Sequence, residues 1–291
     1  MSVAPPRVPD AADVPDVGGE KPVPRRAGRN LPAAIAVGLS LGAVILVTLF
    51  AARPVFAYGV LTVAIGIAIW ELSRAISLTG AKPAQTPLVL GGVMMLVAAY
   101  LRGPEALVFG LAATSLACLV WRLPEGSPGV LRDVSASIFV ATYVPLLAGF
   151  CALMVAEPDG AARVVSFIAT TVCSDVGGYV AGVLKGKHAM APTVSPRKTW
   201  EGFAGSVAAC CICGVALVST VMEIAWWEGA IFGLVVVVVA TLGDLGESMI
   251  KRDIGIKDMG HLLPGHGGIM DRLDSLLPCA PVTWLLLAAF T

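Results

Sequence analysis

The chain has 291 residues, of which 57% are hydrophobic and 14% charged, against about 25% charged in an average soluble domain. With a mean hydropathy of +0.84, this composition excludes a soluble globular domain and indicates an integral membrane protein. The formal net charge is zero, but the charges are unevenly distributed along the chain. The seven cysteines lie mostly in apolar runs and are interpreted as small packing residues, so neither a disulfide nor a zinc site is predicted.

Residues 1–30 contain six prolines and scattered charges without hydrophobic periodicity, which predicts a disordered cytoplasmic tail. Beyond them, apolar segments recur at close to the ~20 residues that a helix needs to cross a bilayer. The predicted fold class is all-α, a polytopic membrane helical bundle of about nine transmembrane helices. The predicted spans are residues 31–52, 54–73, 87–102, 104–121, 134–156, 163–184, 202–223, 230–250 and 276–290.

The distribution of Lys and Arg orients this bundle. With the N-terminus in the cytoplasm, 17 of the 20 Lys and Arg residues fall on the cytoplasmic side, where membrane proteins carry an excess of them. The three on the outer side are Arg53, Arg102 and Arg163. The split favours nine spans with a cytoplasmic N-terminus and places the two polar segments described next on the cytoplasmic side. Glu71, Arg74 and Arg132, near the inner surface, are interpreted as interfacial side chains.

The first polar segment, residues 173–202, begins inside an apolar span with Asp175. A lone carboxylate there is costly unless it has a partner or a cavity, which favours a site role over simple packing of the neighbouring glycines. Polar residues that suit a triphosphate or a phospholipid headgroup precede the next span. They are Ser195, Arg197, Lys198, Thr199 and Glu201. Anchoring of the loop to anionic lipid is the alternative; it explains the two cations but neither Ser195 nor Glu201.

The second polar segment, residues 243–274, carries ten charged side chains directly after an apolar run. Charged groups next to hydrocarbon are costly, so this cluster is a candidate functional site. If the apolar run is a helix that continues to Arg252, then Asp244 and Ser248 lie on one face at i, i+4, with Glu247 beside them.

A loop with glycines, a proline and two histidines, residues 260–268, ends in Gly267 and Gly268. If a further helix begins there, Asp271 and Asp274 share a face at i, i+3. Two carboxylate pairs held close together repel unless a cation lies between them, and Mg²⁺ suits such oxygen ligands together with substrate phosphates. The side chains that would then face phosphate oxygens are Lys251, Arg252, Lys257 and Arg272. The alternative is a cytoplasmic loop of solvated ion pairs.

The second polar segment resembles the signature of phosphatidate cytidylyltransferases, the CDP-diacylglycerol synthases. The matching pattern is Ser248-x-Ile250-Lys251-Arg252-x4-Lys257-Asp258-x-Gly260-x2-Leu263-Pro264-x-His266-Gly267-Gly268-Ile269-x-Asp271-Arg272-Leu273-Asp274. So many fixed polar positions make the pattern specific. The first polar segment is also similar to the family, through an Asp-x-x-small-Tyr element and a Ser-Pro-Arg-Lys-Thr-x-Glu-Gly element, although Gly178 stands where Ala is expected. The resemblance covers roughly residues 160–280.

The resemblance implies a reaction in phospholipid biosynthesis. The phosphate of phosphatidic acid attacks the α-phosphorus of CTP, which gives CDP-diacylglycerol and pyrophosphate. Asp244 and Asp271 would hold Mg²⁺, with Asp274 or Asp175 in support. The resemblance implies catalytic roles for Lys198, Lys251, His266, Arg272 and Asp274. It implies substrate-binding roles for Asp175, Ser195, Arg197, Lys198, Thr199, Glu201, Ser248, Arg252, Lys257, Gly267 and Gly268.

The resemblance gives CTP, phosphatidic acid and membrane lipid as partners, without nucleic acid, and leaves a homodimer open. It implies a multi-pass protein of the cell membrane with a cytoplasmic active site. The chain would divide into the tail 1–30, N-terminal transmembrane helices 31–130 and a transmembrane catalytic region 131–291. The alternative of another class is a transporter that uses the buried acids as a cation path, but it predicts an internal repeat and charges spread across the bilayer, and neither is seen. The alternative among enzymes is a relative that acts on archaeal ether-lipid phosphates or phosphorylates polyprenols.

Overall fold

The computed structural model describes residues 31–262 and 267–291. Within these ranges the chain forms nine helices in sequence. They are α1 (Leu31–Ala51), α2 (Arg53–Ser77), α3 (Gln85–Arg102), α4 (Pro104–Arg122), α5 (Val130–Ala156), α6 (Gly160–Lys185), α7 (Trp200–Val221), α8 (Trp226–Ile254) and α9 (Met270–Phe290). The predicted tail and His266 lie outside the described residues.

Eight of these helices, α2 to α9, are long and apolar enough to cross a membrane, and the stretch Gly38–Ala51 of α1 is apolar but shorter. The prediction of an all-α, polytopic membrane protein is therefore confirmed. Each of the nine predicted apolar segments corresponds to one helix, although several helices extend beyond the apolar run that predicted them.

Three of the helices are irregular. A π-helical turn occupies Phe56–Leu61 in α2, and another occupies Thr142–Leu146 in α5. The second contains Pro145. Proline has no backbone N–H to donate to the preceding turn, and its ring pushes against that turn. Helix α9 consists of a short turn, Met270–Leu273, and a longer part, Leu276–Phe290. A 3-10 turn, Leu123–Glu125, follows α4.

Contacts between loops sort the helix ends into two ends of the bundle. At one end, Nη1 of Arg53 donates to the carbonyl oxygen of Glu157, between α5 and α6, at 2.7 Å. At the other end, the backbone N–H of Lys82, between α2 and α3, donates to Oδ1 of Asp133 in α5 at 2.9 Å. Both contacts agree with successive helices that run in alternating directions.

A short β-hairpin departs from the all-helical pattern. Between α6 and α7, strand β1 (Ala189–Ala191) pairs antiparallel with strand β2 (Ser195–Thr199). The sequence analysis did not predict these strands, because they are too short to show the alternation of apolar and polar residues that identifies a strand. The hairpin places the polar residues 195–199 beside the ends of α6 and α7.

Helices α6 and α7 pack along small residues. A Cβ atom at Gly177 would lie 2.6 Å from Cβ of Ala209 and 2.7 Å from the carbonyl oxygen of Gly205. Neither Gly177 nor Gly205 can be replaced by a larger residue without separating the two helices. Small residues allow the same close approach in other pairs of membrane helices. The packing holds Asp175, two residues earlier on α6, at a fixed distance from α7.

Two clusters of buried apolar side chains hold the bundle together. One joins α2, α3, α4, α5 and α9, and the other joins α1 and α2 with α5 to α9. Helices α5 and α9 contribute to both clusters, through Leu153 and Met270 in the first and through Met154 and Leu287 in the second. All seven cysteines are free, and four of them, Cys118, Cys151, Cys210 and Cys279, are buried.

Candidate functional site

The two polar segments meet at one end of the bundle, where they line a cavity of about 210 Å³. Helix α6 contributes Asp175 and Tyr179, strand β2 contributes Lys198, α7 contributes Ser206, and α8 contributes Asp244. The cavity therefore lies between elements that are distant in sequence.

An ion pair joins the two polar segments across this cavity. Nζ of Lys198 contacts Oδ2 of Asp244, and the two side chains are each 27% exposed. On α8, Oγ of Ser248 donates to Oδ1 of Asp244 at 3.4 Å, so the predicted i, i+4 face is present. Because both partners of the ion pair remain accessible, either charge can be redirected to a ligand in the cavity.

The Asp175 side chain is exposed on the α6 side of the cavity. Its carboxylate is repelled by Asp274 and Asp244 and attracted by Lys198 and Arg272. Two further acids and two cations thus lie within interacting distance of Asp175. Such a mixture suits a ligand that brings both a cation and phosphate groups.

Two residues of the first polar segment fix the hairpin. Oγ1 of Thr199 accepts from the backbone N–H of Gly202 at 3.1 Å and caps α7. Glu201 accepts from the backbone N–H groups of Lys187 and His188 at 3.1 and 3.2 Å, and its other oxygen lies 2.6 Å from Nδ1 of His188. In this structure both side chains support the hairpin.

The other predicted binding residues are spread around the hairpin and the loop after α8. Ser195 is half-buried at the start of β2, and Arg197 is exposed at the mouth of the cavity. Nε of Arg252 donates to the carbonyl oxygen of Val194, at the turn of the hairpin, over 3.5 Å. Lys257 is exposed in the loop between α8 and α9.

Asp271 lies apart from the cavity lining and organises that loop. Its side chain is buried, and its two oxygens accept from the backbone N–H of Met259 at 3.1 and 3.0 Å and of Gly268 at 2.9 Å. Nζ of Lys251 adds a fourth contact at 3.0 Å. The predicted helix start after Gly267 and Gly268 is present, since α9 begins at Met270. Gly267 has a φ of +81°, which favours glycine.

Glu247 was noted beside Asp244 in the sequence but was not assigned to the site. Its side chain is fully buried, and Nζ of Lys251, one turn later on α8, lies 3.5 Å from Oε2. Lys251 therefore bridges Glu247 and Asp271. Asp274 lies on the other side of Glu247 and accepts from the backbone N–H of Ser275 at 2.7 Å.

Glu71 on α2 corrects the sequence analysis. Its interpretation as an interfacial side chain is wrong, because it is 1% exposed and its Oε2 accepts from the backbone N–H of Met270 at 2.8 Å. Arg74 and Arg132 are exposed, as expected. The error was avoidable, since a lone carboxylate in an apolar span was the observation that identified Asp175.

The side chains around the cavity fit a magnesium ion only in part. Among the residues that the structure describes, no three His, Cys, Asp or Glu side chains form a ready metal cluster. Mg²⁺ usually takes one or two carboxylates and completes its coordination with water and substrate phosphates. Asp244 and Asp175 line the same cavity and are accessible from it, so they fit this coordination preference. Both oxygens of Asp271 are already engaged, so a metal there has to replace at least one of its present donors.

The fold and the site define a polytopic membrane protein with a cavity of mixed charge at one end of its bundle. Residues 32–290 match the profile of the Cytidylyltransferase family, and the chain belongs to this family of nucleotidyltransferases. The resemblance found in the two polar segments is thereby confirmed.

The chain is similar to three bacterial proteins named phosphatidate cytidylyltransferase. It is 45% identical over 282 residues to the one of Mycobacterium leprae (strain TN), with 90% of this chain and 89% of the relative covered. Identity to the one of Mycobacterium bovis (strain ATCC BAA-935 / AF2122/97) is 41% over 281 residues, with 90% of each chain covered. Identity to the phosphatidate cytidylyltransferase of Brucella suis biovar 1 (strain 1330) is 33% over 210 residues, with 70% of this chain and 72% of the relative covered.

Proposed function

We propose that the protein is a phosphatidate cytidylyltransferase, which joins CTP and phosphatidic acid into CDP-diacylglycerol and releases pyrophosphate. The observation that carries the proposal is the ion pair between Lys198 and Asp244. It combines, on one cavity at the end of a membrane bundle, a cation for phosphate oxygens and a carboxylate for a metal. A triphosphate and a lipid phosphate that react with each other require both.

The reaction needs no nucleophile from the protein. An oxygen of the lipid phosphate forms a bond to the α-phosphorus of CTP, and the bond from that phosphorus to the bridging oxygen of the pyrophosphate breaks. The chain's contribution is to position the two phosphates and to compensate their charge. Lys198 and Arg197 on β2 hold the triphosphate, and Arg272 lies close enough to Asp175 to complete the charged rim.

The proposed metal sites are Asp244, supported by Asp175, and Asp271. Magnesium bound there would neutralise the phosphate oxygens. Lys251, His266 and Asp274 keep the catalytic roles that the resemblance implies, and His266 lies outside the described residues.

Two labelled substrates test this function. Purified protein in neutral detergent is supplied with phosphatidic acid, Mg²⁺ and CTP that carries ³²P at either the α- or the γ-phosphorus. Cytidylyl transfer puts the α-label into lipid and the γ-label into pyrophosphate. A γ-label in the lipid fraction indicates a lipid kinase instead, and no transfer of either label contradicts the proposal. An archaeal ether-lipid phosphate offered in competition tests the substrate class.

We further propose that the site faces the cytoplasm of a cell membrane. Arg53, Arg102 and Arg163 are the only Lys or Arg residues on the opposite side in the nine-span arrangement. In intact cells an impermeant thiol reagent should label an introduced Pro158→Cys and not Asp258→Cys, both of which replace exposed residues. Permeabilised cells, in which both should react, provide the control. Labelling of Asp258→Cys in intact cells contradicts this orientation.

A further inference from the structure

We propose that Glu71 is a positioning residue for the reaction. From α2, it holds in place both stretches of the loop between α8 and α9 that surround Asp271 and Gly268. The inference rests on the proposed function and adds a residue of the N-terminal helices, which contain neither of the two polar segments.

The first observation is a hydrogen bond at the start of α9. Oε2 of Glu71 accepts from the backbone N–H of Met270 at 2.8 Å, across a separation of 199 residues. The first N–H groups of a helix have no partner within the helix, and a carboxylate is favourable beside them. Glu71 is 1% exposed, so water does not compete for this bond.

The second observation is the shape of the loop around the carboxylate. A Cβ atom at Gly268 would lie 2.5 Å from Oε2 and 2.7 Å from Oε1 of Glu71, and a Cβ atom at Gly260 would overlap Oε1. The carboxylate thus fills the space that side chains at these two positions would need. Glycine at positions 260 and 268 is explained by the presence of Glu71.

These contacts alternate with those of Asp271. Glu71 contacts residues 260, 268 and 270, while Asp271 accepts from the backbone of Met259 and Gly268. Two carboxylates from different helices therefore clamp the same two stretches of chain, residues 259–260 and 268–271. Glu71 is absent from the cavity lining, so its influence on substrate passes through the loop.

The test compares Glu71→Ala and Glu71→Gln with Glu105→Gln, which replaces an exposed acid on α4. Steady-state kinetics and hydrogen–deuterium exchange are measured in neutral detergent for the wild type and for each variant. Glu71→Ala should lower kcat per folded molecule by at least about tenfold, because small displacements of positioning groups are costly, and change KM for CTP less. Exchange should rise in peptides that cover residues 255–271 and stay unchanged in α6 and α7. Glu71→Gln keeps an acceptor for Met270 and should retain kcat to within about threefold; Glu105→Gln should match the wild type.

Wild-type kcat in Glu71→Ala overturns the proposal. So does a loss in which exchange rises throughout the protein and activity falls only with the folded fraction. If Glu71→Ala does not fold, Glu71→Gln decides: a tenfold loss of kcat with an unchanged loop also overturns it. Failure of the wild type to form CDP-diacylglycerol refutes the proposed function instead, and the exchange measurements still report whether Glu71 holds the loop.

Discussion

The first and second polar segments contribute comparable motifs but use their charges differently. In the first, Lys198 reaches across an open cavity to Asp244, and each side chain is 27% exposed. In the second, Asp271 is 7% exposed and accepts from Met259, Gly268 and Lys251. The comparison shows that a charged motif residue can face an open cavity or hold the backbone of a buried loop, and that burial and hydrogen-bond partners separate the two arrangements.

The largest effect is expected from Asp244→Asn. The change removes a charge at the cavity while leaving a side chain of the same size, so turnover should fall about a hundredfold or more through misplaced phosphates. The melting temperature should stay close to that of the wild type, because both partners of the ion pair remain accessible to water. Near-normal Mg²⁺-dependent activity would show that Asp244 binds no metal.

Asp271→Asn should also inactivate the enzyme, but it should destabilise it as well. The substitution breaks a buried pair with Lys251 and turns an amide N–H₂ toward backbone donors, which costs about 3 kcal/mol or more. Thermal unfolding in detergent, compared directly with Asp244→Asn, measures the difference. Equal melting temperatures for the two variants would contradict the distinction between an exposed and a buried carboxylate.

Lys198→Ala should raise KM for CTP, lower turnover, or both, by about tenfold in total, as expected for one lost charge-assisted contact. Lys198→Arg should restore only part of the activity, because a planar fork replaces a compact charge. Neutral micelles remove any anchoring to anionic lipid. Unaltered kinetics for both substrates in such micelles would leave the first polar segment without a catalytic role.

The smallest effect is expected from Glu201→Gln. The amide oxygen still accepts from the backbone of Lys187 and His188, so only the contact with Nδ1 of His188 is weakened. Since a single hydrogen bond contributes about 0.5–1.5 kcal/mol, turnover should change by less than about threefold. A loss beyond tenfold in steady-state assays would indicate that Glu201 contacts substrate directly.

What the sequence predicted correctly depends on local spacing. The lengths of the apolar runs predicted the helices, and the i, i+4 spacing predicted the face shared by Asp244 and Ser248. Charge distribution placed the two polar segments at one end of the bundle. The resemblance supplied the candidate residues that geometry then brought together, above all Lys198 and Asp244.

What the sequence could not predict depends on distant contacts. Strands of three and five residues give too little alternation to identify, so the hairpin was missed. The environment of Asp271 arises from Met259 and Gly268, whose backbone donors carry no sequence signature. The burial of Glu71 could have been predicted from its position as a lone carboxylate in an apolar span, but its partner, the N–H of Met270, can be named only once α2 and α9 are known to be neighbours.

The bond between Glu71 and Met270 also has a consequence for biogenesis. At about 5–20 residues per second of synthesis, the 199 residues between them take roughly 10–40 s to make. Throughout that interval α2 carries a carboxylate whose eventual donor has not yet been translated, and a carboxylate in an apolar span without a partner is costly. Completion of the site is thereby tied to arrival of the last helix, and a ribosome that stalls before α9 leaves an incomplete enzyme in the membrane.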